Sequence, residues 1–312
     1  MSFLKSTAAR LIITAAILAY LLSSIDLDVS LHAMLRVDPW WFGFTLVLLA
    51  VDRVVMAVRW LLLLRAAGVD LPAPSVLRIF LTSSFVGSLL PAGLGADAAR
   101  AIALASRTSR GSQAAASVGI DRVLGVVAMA VVGIAGLAGW SRHVDPALRG
   151  RLIAAAVAGG GATLAILWLD RLTEAWMPKR WRTLRLGWRV MRLGDAVGAY
   201  RGHPRVLALV LTLSIAVQLA RVLQCYGLGR SLGIPLGLPY YLVTMPVAML
   251  ILMLPVSISG VGLPQAAIVW LLRPAGVPDA ESLALSILLI LIGFISNLPG
   301  ALLYAIRRKP AA

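Results

Sequence analysis

The sequence predicts an all-α integral membrane protein with about six transmembrane helices plus two Pro/Gly-broken re-entrant hairpins, arranged as an inverted repeat. Three observations predict it. Hydrophobic residues make up 60% of the 312 residues and charged ones only 13%, with a mean hydropathy of +0.90, far from globular averages of about 45–50% and 25%. Several apolar runs reach the roughly 20 residues that a membrane-crossing helix needs. Finally, "SLLPAGLGADAARAI" at 88–102 and "LMLPVSISGVGLPQAAI" at 252–268 break alike, each with a proline, then Gly-x-Gly, then a small-residue stretch that restarts a helix.

Taken in order, the long runs fall at 8–25, 40–64, 115–140, 152–169, 204–228 and 283–306. The first follows Lys5 and Arg10, but no Ala-x-Ala-like site comes after it, so an uncleaved span is expected rather than a signal peptide. Shorter pieces at 76–90 and 96–106 flank the first break, and pieces at 239–254 and 261–272 flank the second. Between 170 and 203 lies a basic linker in which Trp181, Leu184, Trp188 and Met191 recur at three and four residues. Arg182, Arg185, Arg189 and Arg192 follow one step behind. That phasing predicts a helix lying in the interface, rings among headgroups and arginines against anionic lipid. Residues 1–306 are read as one polytopic domain and 307–312 as a short basic tail.

Orientation follows from Lys and Arg placement. The 29 basic residues outnumber the 13 acidic ones. "DLDVSLHAMLRVD" after the first span is mostly acidic, whereas "ASRTSRGSQ", the linker and "RRKP" hold most of the positive charge. Six crossings place those basic stretches and both termini in the cytoplasm of a plasma-membrane, multi-pass protein. Arg142, Arg149 and Arg151 then lie outside, against the trend. Loops beside a bilayer account for the basic excess, so no nucleic-acid partner is expected. Cys225 is alone and excludes an intrachain disulfide; His32, His143 and His203 share no metal-ligand spacing. Neither a metal nor a cofactor is expected.

The two breaks are in register. Pro91 lies 51 residues after Trp40, and Pro255 lies 51 residues after Pro204, so repeats are expected at about 40–140 and 204–306. An odd number of crossings separates them if each hairpin re-enters on one side, which inverts one unit relative to the other. Paired interrupted segments of this kind point to a transporter's midplane site. Broken backbone at membrane depth must face protein or a polar cavity, and helix starts after the breaks would aim positive dipole ends at an anionic group. The break positions are Pro91, Gly93 and Gly95, and Pro255, Gly260 and Gly262; Ser257, Ser259 and Gln265 add polarity to the second hairpin.

Charge inside apolar runs points the same way. Asp52, Arg53 and Arg59 interrupt span two, and Asp97 and Arg100 follow the first break. Asp121 and Arg122 enter span three, while Gln218, Arg221 and Gln224 occupy span five. A central ionisable group costs about 2.5–3.5 kcal/mol on insertion scales, so such residues pair or line a water-filled path. Arg100 and Arg221 are the leading substrate contacts; for Arg53, Arg59 and Arg122 substrate contact stands evenly against a structural ion pair or a snorkelling side chain. Asp97 or Asp52 is the expected partner of these arginines in the empty protein.

"LLPAGLGADAAR" at 89–100, "DRVLGVVAMAVVG" at 121–133 and "LPVSISGVGLPQAAIVWLL" at 254–272 together resemble the flippase-like family typified by the transmembrane domain of lysylphosphatidylglycerol synthases. The resemblance covers approximately residues 10–306, and the family's Pro, Gly, Asp and Arg have counterparts in Pro91, Gly95, Asp97 and Arg100. It departs in the third motif, where an Arg-Glu pair often follows Gly-x-Gly but Pro264 and Gln265 stand here. The resemblance implies lipid translocation without a soluble cofactor, in a stand-alone member, since six residues after Ile306 are too few for the synthase half.

A lipid translocase for anionic phospholipids or polyprenyl-phosphate carriers is therefore the leading functional reading. No Walker A loop accompanies it. An accessory scaffold for a separate envelope glycosyltransferase or lipid synthase is the alternative. A membrane-embedded headgroup transferase is the third, with Asp97 and Asp121 the only tempting acid/base pair. No catalytic constellation is found, and the oligomeric state is left open.

Overall fold

The computed structural model describes residues 35, 37–88, 95–106, 108, 110–139, 146–176, 185–252 and 263–306. Among them every regular element is helical. The first span, both break apices with Pro91, Gly93, Pro255, Ser257, Ser259, Gly260 and Gly262, and linker residues 177–184 lie outside the described residues.

Helix α1 (Pro39–Ala66) starts where Asp38 caps it, Oδ1 accepting from the backbone N–H of Trp40 at 2.8 Å, with Pro39 in the first turn where no donor is needed. It ends at Gly68, whose φ of 70° permits the left-handed turn in which the Val69 N–H reaches back to the Leu64 carbonyl at 2.9 Å. Helices α2 (Ala73–Ser88) and α3 (Gly95–Ala105) pack on each other, with Gly87 directly against the Ala96 backbone. Helix α4 (Gly111–Gly139) follows.

The fourth expected span is less regular than its sequence suggests. Helix α5 (Pro146–Leu164) tightens into a 3-10 turn at Ala165–Trp168 before α6 (Leu169–Trp176). Within that turn the Leu167 carbonyl accepts from Arg201 Nη1 at 2.6 Å. Linker helix α7 (Arg185–Gly198) packs on α4 and α6, and a second 3-10 turn (Ala199–Gly202) leads out of it. Trp188 is exposed and stacks under Arg192, whose Cζ lies 4.9 Å from the ring centroid. Arg182 falls outside the described residues.

Helix α8 (Pro204–Ser231) repeats the design of α1: proline in its first turn, 28 residues, then Gly233 at φ 76° with the Ile234 N–H bonded to the Gly229 carbonyl at 2.9 Å. Pro39, Gly68 and Ala73 recur 165 residues later as Pro204, Gly233 and Leu238, which begin or end the corresponding helices. Helices α9 (Leu238–Leu252) and α10 (Leu263–Leu272) then pack on each other, and α11 (Asp279–Ile306) closes the bundle.

The packing exchanges parts between halves. Helix α4 lies on α9 and α11 lies on α2, while α1 and α8 form the central pair. The central pair is antiparallel: Asp38 N–H meets the Ser231 carbonyl at one end, Arg221 meets Asp52 midway, and the Tyr200 hydroxyl reaches the Leu63 carbonyl at the other. One apolar core gathers Trp60, Ile79, Phe80 and Leu104 around the first hairpin, and another gathers Leu228, Tyr241, Ile268 and Leu285 around the second. Three described helices, α4, α8 and α11, are long and apolar enough to cross a membrane by length and composition. Helix α1 has their length but carries Asp52, Arg53, Arg59 and Arg65.

Candidate functional site

The charged residues singled out from the sequence converge between α1, α3, α4 and α8. On α1, Asp52, Met56 and Arg59 follow one another at four and three residues and so share a face. Gly125 of α4 faces Arg59, and a Cβ there would lie 3.9 Å from Arg59 Nη2, at ordinary contact distance.

Two connected sets of ion pairs result. In the larger, Arg59 Nη2 donates to Asp121 Oδ1 at 2.7 Å and to the Asp121 carbonyl at 3.1 Å. Arg100 Nη1 donates to Asp121 Oδ2 at 3.3 Å, and its Nη2 pairs closely with Asp97 Oδ1. Arg122 Nη1 completes the chain on Asp97 Oδ2 at 3.0 Å. Arg100 is also flanked by aromatic faces, its Cζ 5.5 Å from the Trp60 centroid and 5.4 Å from that of Phe80. Trp60 is itself fixed by an Nε1 bond to Ser117 at 3.2 Å.

In the smaller set, Arg221 Nε donates to Asp52 Oδ1 at 3.2 Å, and its Nη2 rests 3.1 Å from the Met56 sulfur. Arg53 Nε stands 3.8 Å from Asp52 Oδ2. Gln218 Nε2 donates to the Gly125 carbonyl at 3.2 Å, while buried Gln224 Nε2 has no partner. Arg59 feels Arg221, Arg100 and Asp52 as well as Asp121, so the two sets form one electrostatic unit.

Five guanidiniums thus face three carboxylates, a surplus of two positive charges in a cluster whose Arg53, Arg122 and Arg221 side chains are partly exposed. An apolar interior tolerates such an excess only with a counter-ion or water access. The expectation that Asp97 and Asp52 neutralise Arg100 and Arg221 describes the geometry, with Asp121 as an additional partner of Arg100. Gly95 opens α3 and Gln265 is buried on α10. Sequence reasoning missed Met56, Trp60, Phe80 and Ser117.

A separate pair fastens the linker. Arg201 binds Asp170 with both guanidinium nitrogens and so pulls the Asp170 pKa down to about 2. Among the described residues no group of His, Cys, Asp and Glu is arranged to hold a metal ion.

The family model described as the lysylphosphatidylglycerol synthase TM region matches residues 7–300. No curated protein matches the chain.

Proposed function

The chain belongs to the lysylphosphatidylglycerol synthase TM-region family, a family of lipid-related membrane proteins, and from that premise we propose that it is a flippase-like translocase moving an anionic phospholipid or a polyprenyl-phosphate-linked lipid between leaflets. The single observation that carries this reading is the surplus of two guanidiniums in the charged cluster between α1, α3, α4 and α8. Arginine binds phosphate through charge-assisted, often bidentate bonds, and a phosphate would neutralise the excess. The position of the cluster supports it. Residues 52–59 sit near the middle of the 28-residue α1, and Arg221 sits past the middle of the 28-residue α8; such helices are about 42 Å long, so their centres lie deep in a hydrocarbon core of roughly 30 Å.

The headgroup crosses through this polar midplane while acyl tails stay in the bilayer, and the two helix pairs α2/α3 and α9/α10 act as re-entrant gates. The antiparallel α1 and α8 support an inverted relation between halves. No cofactor and no bond-making step are part of the reading, and both termini are assigned to the cytoplasm of the plasma membrane.

Translocation of a fluorescent lipid panel in proteoliposomes tests it. Arg221→Gln should lower the rate at least about tenfold at matched incorporation, and Arg221→Lys should recover part of it, since charge is kept while the planar fork is lost. Wild-type rates for Arg221→Gln would instead favour a scaffold for a separate envelope glycosyltransferase or lipid synthase.

A further inference from the structure

The eight charged side chains of the cluster are not equally committed. Both oxygens of Asp121 and both of Asp97 are engaged, and Arg59, Arg100 and Asp121 are nearly sealed. Arg100 is held in addition between Trp60 and Phe80. Arg59 Nε and Arg100 Nε also lack a partner, but with the side chains of Arg59, Arg100 and Asp121 at most 6% exposed this half is closed to a ligand.

The other half is open. The Arg53 and Arg221 side chains are 25% and 26% exposed, whereas Asp52 between them is 2% exposed. Among the three a single hydrogen bond is made, from Arg221 Nε to Asp52 Oδ1. Arg53 Nε at 3.8 Å is too far from Asp52 to bond and has no other partner. Arg221 Nη2 has a thioether, a weak acceptor, where an oxygen would serve better. One turn further along α8, Gln224 Nε2 is buried and unpartnered. Every unsatisfied atom in this half is a donor, so what it lacks is an acceptor-rich anion.

We propose that Arg53 and Arg221 form a two-guanidinium subsite for a phosphate group and that Asp52 is its built-in competitor, holding in the empty protein the guanidiniums that a phosphate takes over in the loaded one. The inference rests on the translocase reading for its source of phosphate, a lipid headgroup, although free phosphate offers the same oxygens. A carboxylate that takes Arg221 back keeps binding reversible, which a carrier needs. Arg100 becomes a positioning residue, one that orients Asp121 and thereby Arg59 beside the subsite.

Calorimetry on the detergent-purified chain, with dihexanoyl phosphatidic acid and with inorganic phosphate as separate probes, tests this. Arg53→Gln and Arg221→Gln should each weaken phosphatidic acid binding at least about tenfold, and Asp52→Asn should tighten it by about tenfold, since the competing anion is gone. Arg53→Lys should recover part of what Arg53→Gln loses, since charge is kept while the planar fork is lost, and together with Arg53→Gln it decides the matter if Asp52→Asn does not fold. Arg273→Gln, in an exposed pair with Asp279, should change nothing. Unchanged or weaker binding by Asp52→Asn, wild-type binding by Arg53→Gln, or no binding of either probe overturns the proposal. Inorganic phosphate bound as tightly, with the same response to the variants, keeps the subsite and overturns the lipid as its source. Binding that follows the expected pattern without translocation in liposomes removes the translocase reading and leaves the subsite standing.

Discussion

Asp121 accepts from two guanidiniums in a sealed environment, and removing its charge would leave Arg59 and Arg100 facing each other with only Asp97 to share. Breaking a buried pair from one side costs about 3–5 kcal/mol, because the surviving charge stays desolvated, whereas apolar replacement of both partners is often neutral. Asp121→Asn should therefore lower the unfolding temperature in detergent sharply, and Arg59→Met combined with Asp121→Leu should recover most of the loss. A small effect of Asp121→Asn would show that water reaches this half of the cluster. At this scale the sequence names the charged participants, since an arginine within an apolar run is conspicuous. It could not pair them: Arg221 and Asp52 are 169 residues apart, Arg59 and Asp121 62. The Trp60 and Phe80 rings around Arg100 carry no local signal, because an aromatic residue on an apolar helix reads the same whether it packs on leucine or on a guanidinium.

The elements themselves were largely legible. The expected pieces 96–106 and 261–272 correspond to α3 and α10, and 40–64 and 204–228 to α1 and α8, whose ends are displaced by a few residues where Asp38 and Gly68 bound α1 and Gly233 follows α8. The 3-10 turn at Ala165–Trp168 was not legible, since nothing in "AILW" resists α-helix and an arginine 34 residues away engages the Leu167 carbonyl. Nor could periodicity reveal the exchange of α4 onto α9 and α11 onto α2. That exchange depends on glycine. A Cβ at Gly136 would come 2.6 Å from the Leu242 carbonyl oxygen, and one at Gly300 would strike the Leu81 carbonyl. Gly136→Leu and Gly300→Leu should each force the crossing helices apart, costing about 1–3 kcal/mol or more, and read as a lower unfolding temperature with slowed translocation. Gly293→Ala on the same α11, where nothing lies within 4 Å, should be neutral. Equal tolerance at all three positions would mean that the crossings are looser than the backbone contacts indicate.

The whole molecule poses a question of direction that helix packing constrains. Helix α1 runs antiparallel to α8, and it runs antiparallel to α4 as well, since Trp60 meets Ser117 while Arg59, one residue earlier, meets Asp121 four residues later. Helices α4 and α8 therefore point the same way, and the starts of α1 and α8 lie at opposite ends of the bundle, as the proposed inverted arrangement requires. If each hairpin returns to its own side, the loop before α4 and the turn before α8 share a face, and the turn after α8 shares the opposite face with the start of α11. In the proposed topology the first face is cytoplasmic, because the stretches of sequence that precede α4 and α8 are rich in arginine. Labelling tests the arrangement with little interference, since Cys225 is the chain's one cysteine and is buried, and Cys225→Ala supplies the background. Single cysteines at exposed Gly111 and Gly202 should react with an impermeant maleimide only from the cytoplasmic side, and those at Gly237 and Asp279 only from outside. Reaction of the Gly111 and Asp279 variants from the same face would leave the hairpins opening together, and two gates on one side cannot alternate access to a central phosphate.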